Sequence, residues 1–281
     1  MVIAALRERF RSALSEMGLS PESAALESRE LACFCAGIPR ERYLLCAGDE
    51  AAPVRDPETL LARRRAGEPL AYLLGEWDFG GLTLGTDRRA LIPRDDSEAV
   101  LALFLDELPR RPGLRLADLC AGGGCLGLAA AAARPDAAVT LCDLSADALA
   151  LSAENAARCG LSDRARTLRA DAFAPPPFAA GSLDGIVCNP PYLRTDEPLP
   201  DAFEPRAAFY GGADGLDFYR AVTAGWTAAL APGAPLCFEV GLGQDKAVAG
   251  LMERAGLEGL RTRKDLGGVT RAVCGRAPER G

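Results

Sequence analysis

The sequence predicts an α/β protein: a parallel sheet with helices on its faces, preceded by a small helical domain. Three observations carry the prediction. Beyond Gly113, apolar strand-like runs alternate with alanine-rich stretches, as βαβ units require. The first of those runs enters the glycine-rich loop Ala121-Gly122-Gly123-Gly124, and the next ends in an acid, Asp143. Residues 1–75, by contrast, place apolar side chains at helical spacing.

In the N-terminal segment Leu6, Phe10, Leu14 and Met17 recur one helical turn apart, and Gly18 ends that helix. Ser20, Pro21 and Glu22 begin the next. They supply a capping hydroxyl, a proline where no N–H is needed, and an acid facing the positive end of the helix dipole. That helix carries Leu26, Leu31, Phe34 and Cys35 and ends at Gly37 and Pro39. A further helix is expected over 57–65, closed by Gly67. Its run Arg63, Arg64 and Arg65 reads as a solvated C-terminus that complements the dipole. Residues 77–92 change texture: Phe79, Leu82, Leu84 and Leu91 alternate with Gly80, Gly81 and Gly85, which predicts a β-hairpin joining two domains. Strands are then expected at 116–120, 139–143, 165–169, 183–188 and 236–240, with a helix over 126–134. Two short strands, 260–264 and 270–275, close the chain around Gly267-Gly268.

Composition narrows the chemistry. With 281 residues the chain can bury a substantial core without disulfide or metal staples. It contains no histidine, which excludes Ser-His-Asp and Cys-His nucleophilic sites, His-liganded zinc and imidazole acid–base catalysis. A balance of 39 acidic against 32 basic residues, net −7, disfavours nucleic acid as a partner over the whole surface. The ten cysteines form no Cys-x-x-Cys pair and mostly sit in apolar stretches, so core filling in a reducing compartment is expected and no metal site. The apolar run before Arg7 is too short for a signal peptide, and the longest apolar stretch falls far below a membrane span. A soluble cytoplasmic protein is expected.

The glycine loop is ambiguous by itself. Glycines let the backbone approach a ligand, and Asp143, about twenty residues on, can accept two ribose hydroxyls. Gly122-x-Gly124-x-x-Gly127 also satisfies the dinucleotide spacing, so a nicotinamide dehydrogenase and an S-adenosylmethionine methyltransferase both fit.

The fourth expected strand decides between them. It ends in Asn189-Pro190-Pro191-Tyr192, on the sheet edge that faces the ligand crevice. The two prolines have no N–H and fix φ. The Asn189 amide and the Pro190 carbonyl therefore present acceptors from a stiff platform, and Tyr192 adds a flat wall. Two acceptors and a wall suit a planar –NH₂ group. Accepting both of its hydrogens aims the delocalised lone pair, so rate comes from alignment against an electrophilic sulfonium and needs no imidazole.

Asn189-Pro190-Pro191-Tyr192 is the motif of methyltransferases that act on amino groups of adenine or glutamine. The surrounding chain resembles the HemK/PrmC family, the protein-(glutamine-N5) methyltransferases of peptide-chain release factors. The resemblance rests on Glu68-Pro69-Leu70-Ala71-Tyr72, Leu91-Ile92-Pro93-Arg94, Glu204-Pro205, Gly211-Gly212-Ala213-Asp214-Gly215, Phe238-Glu239-Val240-Gly241 with Gln244, and Asp265-Leu266-Gly267-Gly268 with Arg271. It implies a Rossmann-like seven-stranded S-adenosylmethionine-dependent methyltransferase sheet over 94–281, a β-hairpin linker over 76–93, and a helical substrate-recognition domain over 1–75. It implies cofactor contacts at Cys120, Ala121, Gly122, Gly123, Gly124, Asp143, Asp171, Ala172 and Asn189. The glutamine would lie on Asn189, Pro190, Pro191 and Tyr192, with Asn189, Pro190 and Tyr192 catalytic. The expected partners are release factors, met by a monomer without direct contact to nucleic acid or membrane.

The chain departs from the family in three places. The family's Asp-Leu-Gly-Thr-Gly-Ser-Gly is here Asp118-Leu119-Cys120-Ala121-Gly122-Gly123-Gly124, an exchange expected to reshape cofactor contacts. Ala172 stands where a larger residue can flank the adenine. The family's Pro-x-Thr-Glu is replaced by Asp95-Asp96-Ser97-Glu98, which also reads as a helix start with Asp95 and Glu98 at capping-box spacing. Two other functions share parts of this pattern. One is adenine-N6 methylation of nucleic acid, for which the chain shows no basic groove. The other is a catalytically weak binding protein that keeps the cofactor fold with a drifted loop. A dehydrogenase gives the fourth-strand motif nothing to do.

Overall fold

The helical periodicity of the first 75 residues becomes a unit of its own. A computed structural model describes residues 2–279, and the chain divides into two compact units, Met1–Gly75 and Glu76–Gly281. Met1, Arg280 and Gly281, at the ends of the expected domain ranges, lie outside the described residues. Helix α1 (Ile3–Glu16) buries Leu6, Phe10 and Leu14 as their spacing predicts, while Met17 falls just past its end. Helix α2 (Pro21–Ala36) is capped by Ser20, whose hydroxyl accepts from the Ser23 N–H at 3.1 Å, and Gly37 ends it at φ 68°. Its buried stripe runs through Ala24, Ser28, Leu31 and Cys35 and leaves Leu26 52% exposed. The reason is geometric: residues two apart lie on nearly opposite sides of a helix, and Leu26 is two from both Ala24 and Ser28.

A 3₁₀ turn (Arg40–Arg42) leads through α3 (Tyr43–Cys46) to α4 (Pro57–Arg65) and α5 (Leu70–Leu74). Asp56 caps α4 by accepting from the N–H groups of Glu58 and Thr59. The arginine run is only partly solvated. Arg63 makes two bonds to Glu68, at 2.8 and 2.7 Å, and Arg64 makes two to Glu27, at 2.8 and 3.1 Å, leaving Arg65 exposed.

The second unit opens with the hairpin β1 (Glu76–Phe79) and β2 (Leu82–Gly85), turning at Gly80-Gly81. A Cβ at Gly80 would stand 2.7 Å from that of Ala129 and 2.9 Å from Leu101 Cδ2, so the turn needs glycine for its close packing as well as its positive φ. The strands stop at Gly85 and residues 86–92 are irregular, drawn away from the hairpin by side-chain partners such as Glu204, which accepts from the Ile92 N–H.

The sheet follows: α6 (Ser97–Glu107), β3 (Leu114–Leu119), α7 (Cys125–Ala133), β4 (Ala137–Asp143), α8 (Ala146–Arg158), β5 (Ala165–Arg169), β6 (Gly185–Cys188), α9 (Asp217–Gly225), β7 (Pro235–Glu239), α10 (Asp245–Arg254), β8 (Glu258–Lys264) and β9 (Thr270–Arg276). Strand order is β5-β4-β3-β6-β7-β9-β8, parallel except for β9, which runs antiparallel to both neighbours. This is the expected seven-stranded methyltransferase sheet. Successive strand residues face opposite sides, and two apolar cores form accordingly. Leu116, Leu141 and Val187 pack in one, with Phe104 of α6; Ala117, Cys142 and Ile186 pack in the other, with Tyr219, Trp226 and Met252. Strand β6 begins two residues later than expected, because Asp184 turns its carboxylate to the Arg115 N–H.

One expected cap does not form. Asp96 precedes α6 with helical angles (φ −57°, ψ −35°) and no side-chain cap, and the Asp95–Glu98 capping box is absent. The side chains here reach across the sheet instead: Asp96 pairs with Arg271 at 2.8 Å and Ser97 donates to Glu239. Among the described residues no helix is long and apolar enough to cross a membrane.

Candidate active site

At the C-terminal end of β3 the chain must turn sharply into α7. Cys120 takes φ 59°, the one non-glycine residue at positive φ among those described, and Gly122 and Gly124 follow at 55° and 87°. The Gly122 N–H donates to Asp143 Oδ2 at 2.9 Å and the Ser145 N–H to Oδ1 at 2.9 Å, so Asp143 braces both loops at the strand ends. Asn155 of α8 ties the loop to the hairpin, with Nδ2 donating to the Gly123 and Gly85 carbonyls. Behind the loop, Asp118 is buried and accepts from the Gly127 N–H at 2.7 Å; burial pushes its carboxyl up to about 7. A Cβ on Gly127 would lie 2.5 Å from Leu141 Cδ2, so the third glycine of the spacing serves helix-on-sheet packing.

The loop bounds a cavity of about 390 Å³. Cys120, Ala121, Gly122, Gly123, Asp143, Asp171, Ala172 and Asn189 line it. Gly124 does not: it faces inward, where a Cβ would crowd Leu128, Leu141 and Ser152. Ala172 is buried, but the next residue, Phe173, is 57% exposed on the cavity wall, in edge contact with Phe218 at 4.8 Å. The cavity is also lined by the segment from Leu91 to Arg94. The buried Glu204 holds it, accepting from the Ile92 N–H at 2.8 Å and pairing with Arg94.

A second cavity, about 530 Å³, shares Asn189 as a lining residue. Tyr192, Phe209, Glu239, Arg271 and Trp77 line it, and it shares Asn189 and residues 91–94 with the first. The motif's backbone is held at several points. The N–H groups of Tyr192 and Leu193 donate to the Phe209 carbonyl, and Gln244 Nε2 donates to the Tyr192 carbonyl at 2.9 Å. Gly211 packs so closely that a Cβ there would meet the Pro191 carbonyl at 2.4 Å. Pro191 lines the first cavity, whereas Pro190 is buried and lines neither. No described donor bonds to Asn189 Oδ1 or to the Pro190 carbonyl.

Glu239 ends β7 as Asp143 ends β4. It is 1% exposed, and burial pushes its carboxyl up to about 7. It accepts from the Ser97 hydroxyl and, at 3.5 Å, from the Tyr192 hydroxyl. Ser97 in turn accepts from Asn189 Nδ2 at 3.5 Å. Arg271 stands beside this group, bound to Asp96 and Asp265. Sequence reasoning singled out neither Ser97, Glu239, Glu204 nor Phe173 as site residues. For Glu239 a signal existed: an acid closing a fully apolar strand on the ligand-facing edge. The ten cysteines are free thiols, six of them buried, and burial pushes Cys142 up to about 12. Among the described residues no group of three or more His, Cys, Asp or Glu is placed to hold a metal.

Residues 95–203 match the family described as methyltransferase small domain, and residues 5–75 match the PrmC N-terminal domain. The chain is 37% identical to the release factor glutamine methyltransferase of Cereibacter sphaeroides over 264 residues, 92% of either chain. It is 38% identical to the protein of the same name from Deinococcus radiodurans over 263 residues, 92% of this chain and 91% of the relative. Among solved structures it resembles the release factor-specific protein-(glutamine-N5) methyltransferase of Alicyclobacillus acidocaldarius at 31% identity, with TM-score 0.42, covering 66% of this chain and 94% of that one.

Proposed function

The chain belongs to the release factor glutamine methyltransferases, and we propose accordingly that it transfers a methyl group from S-adenosyl-L-methionine to the side-chain nitrogen N5 of the glutamine in the release factor Gly-Gly-Gln motif. One observation carries the reading at the level of geometry: two cavities share Asn189 and the 91–94 segment as common lining, so a group in one can be handed to a group in the other past the Asn189 amide.

The first cavity suits a nucleoside. Gly122 and Gly123 offer backbone to the ligand, and each oxygen of Asp143 has a lone pair left after its one backbone bond, enough for two ribose hydroxyls. Phe173 offers an apolar face for a base. We assign cofactor contacts to Cys120, Ala121, Gly122, Gly123, Asp143, Asp171, Ala172 and Asn189, with Gly124 shaping the turn. When bound, S-adenosylmethionine supplies an electrophilic methyl group on a sulfonium.

The protein's part is alignment. Asn189 Oδ1 accepts one hydrogen of the glutamine –NH₂, and the second is assigned to the Pro190 carbonyl, although Pro190 itself lines neither cavity; Tyr192 flanks the amide plane and Pro191 stiffens the platform. Held so, the nitrogen lone pair points from the second cavity toward the first. The nitrogen becomes acidic only as it is alkylated, so no residue need remove a proton beforehand. The helical unit would recognise the release factor, as its match to the PrmC N-terminal domain supports. We place the protein in the cytoplasm, acting as a monomer because one chain lines both cavities. Protein is its substrate rather than nucleic acid, in keeping with its net charge of −7.

Incubation with labelled S-adenosylmethionine and a release factor, followed by mass spectrometry, tests the assignment. One added methyl on the Gly-Gly-Gln glutamine is expected, and Asn189→Ala should lower kcat by on the order of 10²–10³. Methylation at another residue, or parent-level activity in the variant, would show the assignment to be wrong.

A further inference from the structure

An asparagine amide can face its site with either end, and only one end accepts. What decides the end at Asn189 lies outside the motif. Asn189 Nδ2 meets Ser97 Oγ at 3.5 Å, and the Ser97 hydroxyl meets Glu239 Oε2 in a region where both side chains are 1% exposed. The protons can be counted. An ionised carboxylate is acceptor only, and serine has one proton to give. With that proton spent on Glu239, Ser97 offers Asn189 only lone pairs, so the amide must turn its –NH₂ to Ser97. Its carbonyl oxygen then faces the meeting point of the two cavities, where no described donor competes for it.

We infer that Ser97 and Glu239 are positioning residues that lock the Asn189 amide in its accepting orientation. The inference rests on the reading that Asn189 Oδ1 receives the substrate –NH₂. Its contribution is the source of that preference: two groups from the start of α6 and the end of β7, 142 residues apart in the chain.

The same count gives the arrangement a pH response. Facing Glu239 are Ser97 and Asp96 at the start of α6, Arg271 on β9, Tyr192 of the motif, Tyr219 on α9 and Cys125 on α7. Burial outweighs the Ser97 and Tyr192 bonds and holds the carboxyl up to about 7. Protonated Glu239 can donate to Ser97. The serine proton is then released toward Asn189, where it can bond Oδ1 as readily as Oγ accepts from Nδ2, and the orientation is no longer enforced.

The test measures kcat against pH for the full-length protein on a release factor, together with calorimetric affinity for S-adenosylmethionine. The parent should lose activity as pH falls through about 7. Ser97→Ala should lower kcat about 10- to 100-fold, leave cofactor affinity within about twofold, and abolish the acid limb, because Glu239 can no longer reach Asn189. Ser97→Thr, which keeps the hydroxyl, should restore both rate and limb. If Ser97→Ala does not fold, Ser97→Cys replaces it, with a weakly hydrogen-bonding thiol only slightly larger than the hydroxyl. A Ser97→Ala rate within about twofold of the parent overturns the inference; so does a lowered rate that keeps the parent's acid limb, or a failure of Ser97→Thr to restore it. Asn189→Ala run alongside separates the two levels: a fully active Asn189→Ala overturns the reading of the site itself, while an inactive one with an unaffected Ser97→Ala overturns this inference alone.

Discussion

Cys120 holds φ 59° at the bend between β3 and the glycine loop, a conformation in which an L side chain crowds its own carbonyl at a cost of about 1–2 kcal/mol. By the resemblance, its position is that of the first glycine of the family's Asp-Leu-Gly-Thr-Gly-Ser-Gly loop, and its backbone has the left-handed conformation that glycine favours. Cys120→Gly removes the strain and gives back about 0.5–1 kcal/mol in unfolded-chain entropy. The net expectation is a gain of about 0.5–1 kcal/mol. For a chain of this size that raises Tm by about 1–4 °C, with cofactor binding no weaker than in the parent. A lower Tm by calorimetry would mean that the side chain's contacts in the cavity wall outweigh the strain. The exchange itself was visible in the sequence. The persistence of positive φ was not, since a cysteine carries no local signal for a left-handed backbone.

Helix α7 is positioned by one missing side chain. A Cβ on Gly127 would lie 2.5 Å from Leu141 Cδ2 and 2.8 Å from the Asp118 Cβ, so the helix can approach β3 and β4 only with glycine there. Gly127→Ala adds about 1 kcal/mol of helix propensity against an overpacking cost of about 1–3 kcal/mol. It should therefore lower Tm. Because Gly122 and Gly123 ride on the start of this helix, it should also weaken S-adenosylmethionine binding in titration calorimetry; unchanged affinity would show the loop to be independent of the helix. Elements of this kind were legible. Expected strands fall within two residues of their observed ends, and for β3, β4, β6 and β7 the reason is that a strand buried on both faces writes itself into consecutive apolar residues. The start of α6 was not legible. Asp95 and Glu98 stand at capping-box spacing, yet Asp96 and Ser97 bond to Arg271 and Glu239, and no local pattern can report a partner so far along the chain. The site divides the same way. Asp143 and Asn189 were found from the strands they end, whereas Ser97, Glu204 and Glu239 became site residues only once the sheet brought β3, β6 and β7 side by side.

At the scale of the whole molecule, two carboxyls with no basic partner in their immediate bonds sit in the interior of the larger unit, and each adds a pH-dependent contribution to stability opposite in sign to that of the ion-paired surface carboxylates such as Asp214. Burial raises Asp118 from 3.8 to about 7 and Glu239 from 4.5 to about 7. Below about pH 3 both are protonated in folded and unfolded chains alike, and neither affects stability. As pH rises toward 7 the unfolded chain ionises both groups while the folded chain keeps its protons, so the unfolded state binds fewer protons and stability falls. Above about pH 7 the folded groups ionise as well and the loss levels off. Activity runs the other way, since the accepting orientation of Asn189 needs Glu239 ionised, so the working range lies where the stability penalty is already complete. Asp118→Asn isolates the stability effect, because the amide oxygen can still accept from the Gly127 N–H while carrying no charge. Its unfolding free energy relative to the parent should rise steadily between pH 5 and pH 7 and then hold level, at a rate approaching about 1.4 kcal/mol for each pH unit in that window, with Tm following. Taking the difference between the two proteins cancels every other titrating group. A difference that does not change with pH would mean that Asp118 is ionised throughout, with its charge balanced by the Gly127 N–H and the start of α7 rather than removed by a proton.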